Sequence, residues 1–224
     1  MNVLIFSDTH LCLPFDQKKF DFLEKIISSS DRVIINGDFF DHYMISFDNF
    51  IKSPWNGLFP ILKRKKAVYI YGNHDEKEFS DNRVDLFSIR QTYRLKLEID
   101  NKVFIFEHGQ KIRTIPGILL TINRKLIYLT LKIGHYFRNL MVKLFGKLFI
   151  ILRFSYRNIK SKRKIINFYK PGVNEVYIIG HNHFGEVDEK NHFAVSGMIL
   201  YGFAQYLTID SAAKITLHEE WYDK

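Results

Sequence analysis

Side chains able to bind metal ions cluster at five places in this sequence, each directly after a short apolar segment. The clusters are Asp8-Thr9-His10, Gly37-Asp38-Phe39-Phe40-Asp41, Gly72-Asn73-His74-Asp75, His108-Gly109 and Gly180-His181-Asn182-His183. Short apolar segments rich in Val and Ile are typical of buried strands. Because ligands of open α/β sheets bind beyond the carboxyl ends of the strands, the five clusters are predicted to face one point.

The donor atoms of these clusters favour a site for two divalent cations. The candidate ligands are two carboxylates, one carboxamide and four imidazoles: Asp8, Asp38, Asn73, His10, His108, His181 and His183. This mixture of oxygen and nitrogen suits Mn, Fe or Zn better than Ca, Mg or Cu(I). Seven side chains exceed the needs of one tetrahedral ion, whereas two ions sharing a carboxylate would use them all. Two metals about 3.5–4 Å apart suit in-line displacement at phosphorus, so the predicted chemistry is phosphate ester hydrolysis.

The segments that must position these clusters alternate between strands and helices in the first half of the chain. The pattern predicts a helix over Asp16–Ser29, an irregular helical stretch over Ser46–Leu62, and strands over Val3–Phe6, Val33–Ile35 and Val68–Tyr71. Later strands are predicted at Tyr93–Ile99, Val103–Phe106, Glu175–Ile179, Phe193–Val195, Tyr206–Ile209 and Lys214–His218. Apolar runs bounded by polar residues need cover on both faces, so we expect two sheets covered by helices.

Charge is distributed very unevenly along the chain. The length of 224 residues suits a single domain, 1–224, with a large insertion better than two ordinary domains. The formal net charge is +9, yet residues 111–170 hold fifteen Lys or Arg and no Asp or Glu. The remaining chain has 18 basic and 24 acidic residues. Attraction of an anionic partner is therefore predicted to be localised in an insertion at about 111–170.

Apolar and basic residues alternate at helical spacing within this insertion. One face of the predicted amphipathic helix carries Phe137, Leu140, Met141, Leu144, Phe145, Leu148, Ile151 and Leu152. The other side carries Arg138, Lys143, Lys147, Arg153 and Arg157. A companion helix is predicted over Ile118–Leu131 and a solvated basic patch over Lys160–Lys164. Two interpretations stay open: the apolar face packs only on its neighbour, or the paired helices hold acyl chains or lie on an anionic membrane surface.

Several classes of protein are disfavoured by simple counts. A single cysteine, Cys12, excludes a disulfide framework and a multi-cysteine zinc module, and it fits a reducing compartment. Charge-free stretches in the insertion reach only about ten residues, well short of the roughly 20 that span a bilayer. Residues Met1–Phe6 lack the basic start of a secretory signal. We expect a cytoplasmic protein that is peripheral to the inner face of the cell membrane.

The five clusters, in this order, resemble the pattern of the calcineurin-like metallophosphoesterase superfamily: D-x-H, G-D-x-x-D, G-N-H-D/E, a lone H and G-H-x-H. The resemblance spans residues 8–183 and implies a four-layer αββα sandwich with a helical lid insertion. It implies one metal held by Asp8, His10, Asp38 and His183. It implies a second metal held by Asp38, Asn73, His108 and His181, so that Asp38 bridges the two. In this scheme Asp41 and Asp75 orient ligating or catalytic histidines, and His74 steadies charge or protonates the leaving oxygen.

The basic, apolar insertion between the lone histidine and G-H-x-H is similar to that of UDP-2,3-diacylglucosamine pyrophosphatases of lipid A biosynthesis. Those peripheral membrane enzymes cleave their substrate to UMP and a lipid monophosphate. The resemblance implies a lipid-linked nucleotide substrate, an anionic membrane surface as partner, and two divalent ions, manganese first, with iron or zinc as alternatives.

Other functional classes are weighed against this one. A nuclease or nucleotide phosphodiesterase would use the basic segment for phosphate contacts, although duplex binding needs no apolar stripe. The apolar insertion counts weakly against a phosphoprotein phosphatase. A metal-free binding module is disfavoured because all seven ligand positions are filled.

Overall fold

The computed structural model describes residues 1–111 and 124–224. Their helices and strands are β1 (Val3–Phe6), α1 (Gln17–Ser28), β2 (Arg32–Asn36), α2 (Phe47–Lys52), α3 (Phe59–Arg64), β3 (Val68–Ile70), β4 (Arg90–Thr92), β5 (Arg94–Ile99), β6 (Lys102–Glu107), α4 (Arg124–Phe145), α5 (Lys147–Phe154), α6 (Tyr156–Lys164), β7 (Glu175–Ile179), β8 (Glu186–Asp188), β9 (Phe193–Val195), β10 (Ile199–Leu200), β11 (Phe203–Ile209) and β12 (Ile215–Trp221). Short 3-10 turns lie at Pro54–Leu58, Lys77–Phe79, Asn82–Leu86 and Glu189–Asn191, and a π turn lies at Ile165–Tyr169.

The strands form two sheets. In the larger sheet the order is β10-β11-β1-β2-β3-β4, with β12 beside β11, and in the smaller sheet it is β5-β6-β7-β9-β8. Strands β1, β2 and β3 are parallel, with Leu4 opposite Val33 and Ile35 opposite Tyr69. Strands β6 and β7 are also parallel. The carboxyl ends of β1, β2 and β3 therefore share one edge, and so do those of β6 and β7.

Alternating side chains of the central strands build two separate cores. Val3 and Ile5 of β1 pack between the sheets, in one cluster with Phe106 of β6 and Ile178 of β7. Leu4, by contrast, joins the cluster that helices α1 to α3 form on the outer face of the larger sheet. A further cluster covers the outer face of the smaller sheet with residues of the π turn after α6. The predicted α/β class, with two packed sheets covered by helices, is confirmed.

Helix α1 begins at a capping aspartate and continues as an apolar stripe. The Asp16 carboxylate accepts a hydrogen bond from the backbone N–H of Lys19, which satisfies one of the free amides at the helix start. Phe22, Leu23 and Ile26 then follow at helical spacing and are buried in the outer core. The sequence predicted this helix to within one residue at each end.

The irregular stretch predicted over Ser46–Leu62 divides into three short helices. Ser46 caps α2, a 3-10 turn begins at Pro54, and α3 contains Pro60 in its first turn. Proline has no backbone N–H and is tolerated only in the first turn of a helix. Each proline therefore starts a new element instead of continuing the previous one.

The described residues of the insertion form three helices, α4 to α6, which we call the lid, and their arrangement differs from the predicted one. The predicted continuous helix is broken at Gly146, whose φ of +57° is costly for other residues, and again at Ser155 between α5 and α6. The predicted companion helix over Ile118–Leu131 lies outside the described residues up to 123. Its remainder is the first part of α4 and not a separate helix.

The sequence left two interpretations open for the predicted apolar face, and residues outside that face pack on the body. Val142, Ile150 and Phe154 are buried in a cluster with residues of β10 and β11. Most side chains of the predicted apolar face are exposed, for example Leu144 by 64% and Leu152 by 72%, and Met141 is half-buried. None of the described helices has the length and the apolar character needed to cross a bilayer.

One residue of the basic patch predicted over Lys160–Lys164 is not simply solvated. The Lys162 ammonium contacts the carboxylates of both Glu186 and Asp188, so it joins α6 to β8. Arg163 in the same turn is exposed, as predicted.

Candidate metal centre

The five predicted clusters lie at the carboxyl ends of β1, β2, β3, β6 and β7, and backbone hydrogen bonds join them. The Asp8 N–H donates to the Gly37 carbonyl at 3.1 Å, and the Gly180 N–H donates to the His108 carbonyl at 3.0 Å. Between the two sheets, the His181 N–H donates to Asp8 Oδ2 at 2.9 Å. These bonds explain how residues more than 170 positions apart in sequence meet at one place.

Three of the predicted ligands form a first group. His183 Nε2 lies 3.2 Å from Asp8 Oδ1, and His10 Nε2 lies 4.0 Å from the same oxygen. One nitrogen or oxygen from each of Asp8, His10 and His183 lies within 4.8 Å of the others. This spacing is compatible with three ligands around a single cation.

A second group contains Asp38, His108 and His181, whose donor atoms also lie within 4.8 Å of one another. His108 Nε2 is 3.2 Å from Asp38 Oδ2. The same oxygen of Asp38 is 3.6 Å from His10 Nε2 in the first group. Asp38 Oδ2 therefore faces both groups, while Oδ1 accepts a hydrogen bond from the His74 N–H at 2.8 Å.

Five of the candidate ligands have an unusual backbone conformation. The φ angle is positive at Asp8 (52°), His10 (42°), Asp38 (53°), His181 (60°) and His183 (64°). This left-handed region costs a non-glycine residue roughly 1–2 kcal/mol. Such strain concentrates at functional sites, where the surrounding structure holds it in place.

Donor atoms of the candidate ligands are also buried without hydrogen-bond partners. Within residues 1–111 and 124–224 these atoms include Asp8 Oδ1, His10 Nε2, Asn73 Oδ1, His108 Nε2 and His181 Nε2. A buried polar group without a hydrogen-bond partner costs about 1–3 kcal/mol, and such groups are rare in folded proteins. Coordination of cations would satisfy all of these atoms at once. The residues present therefore fit a pair of divalent cations.

The acidic ligands are ionised near neutral pH. Burial alone would raise the pKa of Asp8, but the neighbouring His183 outweighs it and lowers the pKa to about 2. Burial also acts on Asp38, where His108 and His74 hold the pKa well below its usual range. Both carboxylates therefore have the charge that a cation needs.

The histidines of the centre differ in their proton affinity. Burial lowers the pKa of His181 to about 3 and that of His183 to about 4, so both rings are neutral and offer a lone pair. For His108, burial is outweighed by Asp38, and the pKa rises to about 10. His108 Nδ1 lies 2.8 Å from the Asn36 carbonyl oxygen, which can only accept, so Nδ1 carries a proton. A cation at Nε2 would replace the second proton of this ring.

Asp41 contacts two histidines, His74 and His10, and holds the ring of His74 in place. Asp41 Oδ1 lies 3.0 Å from His74 Nδ1, and Oδ2 lies 3.4 Å from His10 Nδ1. Burial lowers the proton affinity of His74, but the charges of Asp38 and Asp41 outweigh it and raise the pKa to about 9. His74 is thus an imidazolium near neutral pH, and in this form Nε2 carries a proton that it can donate.

Asp75 does not orient a histidine, which corrects the role expected for it. Its carboxylate accepts hydrogen bonds from the backbone amides of Asp38 at 3.0 Å, Phe39 at 2.6 Å and Gly72 at 2.7 Å. Tyr69 also donates its hydroxyl proton to the Asp75 carbonyl. Asp75 thereby fixes the loops after β2 and β3 against each other, and this fixes the position of Asp38.

Two residues contact the site in a way that the sequence did not predict. The buried Lys19 ammonium donates to the Thr9 carbonyl, between the ligands Asp8 and His10, and burial lowers its pKa to about 8. The ring of Phe154 stacks on His183 with centroids 5.3 Å apart. A lysine in an amphipathic helix and a phenylalanine in an apolar one are ordinary in sequence, so only the fold reveals these contacts.

The lid also binds the loop between the last two ligands. Asn182 Nδ2 donates to Asn158 Oδ1 at 3.0 Å, and Ser161 Oγ donates to Asn182 Oδ1 at 3.3 Å. Both partners lie on α6. Helix α6 therefore positions the loop from His181 to His183.

Known proteins resemble this chain in sequence or in structure. The family model described as calcineurin-like phosphoesterase matches residues 1–185. Among solved structures, Yfce, a phosphoesterase from E. coli, is 12% identical, with 99% of this chain and 100% of that chain covered and a TM-score of 0.47. Vacuolar protein sorting 29 from Cryptosporidium parvum is 10% identical, with 98% and 97% covered and a TM-score of 0.48.

A third structure, the nuclease MPE of Pseudomonas putida, is 21% identical over 43% of this chain and 50% of that chain, with a TM-score of 0.33. No curated protein matches the sequence. The family model spans most of the chain and all seven candidate ligands. The chain therefore belongs to the calcineurin-like phosphoesterase family.

Proposed function

We propose that this protein is a metal-dependent hydrolase that cleaves the pyrophosphate of a lipid-linked nucleotide. Its substrate would be UDP-2,3-diacylglucosamine or a close analogue, and its products UMP and a lipid monophosphate. Membership of the phosphoesterase family and the clustered donor atoms support the hydrolytic part of the proposal. The lipid part depends on one observation, the exposed apolar surface of the lid beside the candidate metal centre.

The lid exposes large apolar side chains together with basic ones. Tyr136 and Leu152 are each 72% exposed, and Phe168, just after α6, is 79% exposed. Exposed lysine and arginine lie between them, among them Lys143 and Arg153. Apolar side chains on a basic helix suit acyl chains or the surface of an anionic bilayer, where each basic residue contributes about 1 kcal/mol. We extend the proposal to a peripheral position on the inner face of the cell membrane.

The same lid reaches the metal centre from its inner side. Phe154 stacks on His183, and the Arg157 guanidinium lies 4.9 Å from the centre of the Phe154 ring. Arg138 Nε donates to the Tyr201 hydroxyl at 2.7 Å, which ties α4 to the body. The lid thus contacts the candidate ligands through Phe154, and we propose that it places the phosphate of a bound lipid near them.

The residues of the centre would have different roles in the reaction. Bound at the seven ligand positions, two divalent cations, proposed as manganese with iron or zinc as alternatives, would supply charge stabilisation at phosphorus and a lowered water pKa. Asp38 is held by the His74 amide and by the loop that Asp75 fixes, so it keeps both halves of the site in register. His74, oriented by Asp41, would donate its Nε2 proton to the oxygen that leaves phosphorus.

The experiment that tests this function is hydrolysis of a short substrate panel in the presence of Mn²⁺. The panel contains UDP-2,3-diacylglucosamine in detergent, a cyclic nucleotide, single-stranded DNA and a phosphopeptide. We expect release of UMP from the first substrate, with Asp38→Ala as the inactive control. Turnover of DNA or of the cyclic nucleotide alone would favour a nuclease or nucleotide phosphodiesterase and refute the lipid substrate. No turnover of any substrate would refute the hydrolase.

A further inference from the structure

A cleft separate from the lid surface lies beside the His108 side of the metal centre. Its volume is about 230 Å³, and its lining includes Gly109 and Gln110, which directly follow His108. Gln110 Nε2 also lies 3.5 Å from the carbonyl oxygen of Tyr71, which precedes the loop that carries Asn73. The cleft therefore adjoins His108 of the second group, whereas Phe154 of the lid contacts His183 of the first group.

The walls of the cleft offer flat aromatic surfaces with positive charge beside them. Tyr93 and Tyr169 both line it, and 38% of Tyr93 is exposed. The Arg94 guanidinium lies 5.6 Å from the centre of the Tyr169 ring, and Lys111 Nζ lies 5.2 Å from that of Tyr93. Aromatic rings next to cations are typical of sites that stack a planar nucleobase, and each stacked base is worth about 1–3 kcal/mol.

One carboxylate lies among the cations of this cleft. Glu107 is nearly buried, and its Oε1 is 3.2 Å from Arg94 Nε. Lys111 lines the same cleft. The lining thus combines a hydrogen-bond acceptor with donors, the complement of an imide edge. Uracil has such an edge, with an N–H between two carbonyl groups, whereas cytosine turns an unprotonated ring nitrogen toward the same position.

The size of the cleft limits what it can hold. Pockets for whole drug-sized ligands measure roughly 300–1,000 Å³. At about 230 Å³ this cleft suits a single ring system with part of a sugar, so the phosphates of a nucleotide would have to lie outside it. The candidate metal ligands next to Gly109 are where those phosphates would lie.

We propose that this cleft binds the uracil of a uridine nucleotide, with the ring against Tyr93 and Tyr169 and its imide N–H directed at Glu107. The proposal rests on the nucleotide substrate proposed above, and it adds a base-selective subsite. The lipid would then lie near the first ligand group and the nucleoside near the second, with the pyrophosphate between them. Arg94 and Lys111 would donate to the two carbonyl oxygens of the base.

The test is binding of UMP, CMP and inorganic phosphate to the Mn²⁺-loaded protein, measured by isothermal titration calorimetry. A hydrogen bond to a charged group contributes about 1.5–3 kcal/mol, so UMP should bind about ten- to hundredfold more tightly than CMP. Glu107→Ala should reduce this preference to about twofold or less. Glu98→Ala, which removes an exposed glutamate from β5, is the matched control and should keep the preference.

A second pair of variants tests the stacking wall without touching a buried residue. Tyr93→Ala should weaken UMP binding about five- to hundredfold, while Tyr93→Phe, which keeps the ring, should not. Binding of inorganic phosphate should be unchanged in every variant, since phosphate does not enter the cleft. Equal affinity for UMP and CMP, or Tyr93→Ala binding UMP as the original protein does, would overturn the subsite.

The base-selective subsite and the proposed hydrolase activity can be refuted independently of each other. Hydrolysis of the lipid-linked nucleotide without any preference for uracil would refute the cleft and keep the hydrolase. Selective UMP binding by a protein that hydrolyses none of the panel would refute the hydrolase and keep the cleft.

Discussion

Replacement of Asp41 by Asn tests how His74 is held. In the structure the two oxygens of Asp41 contact two different histidines, at 3.0 Å from His74 Nδ1 and 3.4 Å from His10 Nδ1. Asparagine has the same size but only one oxygen and no charge. One of the two histidines therefore loses its acceptor, and both lose the neighbouring negative charge.

The size of the effect follows from these contacts. Two opposite charges about 4 Å apart attract by about 4 kcal/mol at an effective dielectric constant of 20. The single oxygen of the asparagine side chain would recover part of this, so we expect a loss of about 1.5–3 kcal/mol, the value of one charge-assisted hydrogen bond. A loss of this size corresponds to a decrease in kcat/KM of about ten- to 150-fold.

The variant should also change the pH dependence. Burial lowers the pKa of His74, and the charges of Asp38 and Asp41 raise it to about 9. The protonated form therefore persists up to about pH 9 and is lost above it. Without the charge of Asp41 the pKa falls, so activity that needs the imidazolium should decline at a lower pH than in the original protein.

The assay is the pH profile of kcat/KM for Asp41→Asn, His74→Ala and the double variant, together with metal content by elemental analysis. If Asp41 acts through His74, a double variant that keeps its metal content should be no slower than His74→Ala alone, whereas an effect through His10 would lower the metal content. Asp48→Asn, at an exposed aspartate that pairs with Lys52 and Arg83, is the control and should leave kcat/KM and its pH profile unchanged. Multiplicative effects of the two substitutions at unchanged metal content, or an unchanged pH profile in Asp41→Asn, would refute the reasoning.

Three further predictions concern the centre and the lid. Asp38→Ala should abolish activity and lower the metal content, because its Oδ2 faces both ligand groups; a variant with two bound ions and full turnover would contradict this. His74→Ala should lower turnover by about 10²–10⁴-fold, as expected for a lost general acid, with nearly two ions per chain retained. Loss of metal in that variant would instead make His74 a ligand. The pair Leu144→Glu and Leu152→Glu should weaken binding to anionic vesicles at least about tenfold in a sedimentation assay without lowering the melting temperature, because both side chains are exposed. Leu86→Glu, at an exposed leucine outside the lid, is the control, and equal vesicle binding by all of these proteins would disprove the membrane-facing role.

Much of the site could be predicted from the sequence because its signals are local. Each cluster follows a short run rich in Val and Ile, which is typical of a buried strand, and parallel strands place their carboxyl ends at one edge. The strands Val3–Phe6 and Glu175–Ile179 were predicted with the bounds that the structure gives. The approach of Asp8 to His183 then follows from topology and not from any pairing signal.

The lid shows where local pattern is insufficient. Helical spacing identifies residues that share a face, but it does not say which face meets the body. The predicted face is exposed, while the buried Ile150 and Phe154 lie elsewhere on the helices. The break at Gly146 rotates α5 relative to α4, so one continuous helical wheel cannot describe both.

The role of Asp75 could not be predicted for a different reason. Its position in the G-N-H-D/E motif implied, through the family resemblance, that it orients a histidine. Its actual partners are backbone amides of two loops, and the amide of residue 38 has no distinctive sequence signature. Hydrogen bonds to main-chain amides can be identified only when the conformations of both loops are known.

The left-handed backbone at five ligand positions has a consequence for how this fold tolerates change. At roughly 1–2 kcal/mol for each residue, their combined strain is comparable with the whole net stability of many domains. Such loops can persist only because the free energy that folds the double-sheet scaffold exceeds the cost of their strain. Substitutions that weaken the core far from any ligand should therefore first relax these turns, and the protein would lose its ions at temperatures where most of its strands are still folded.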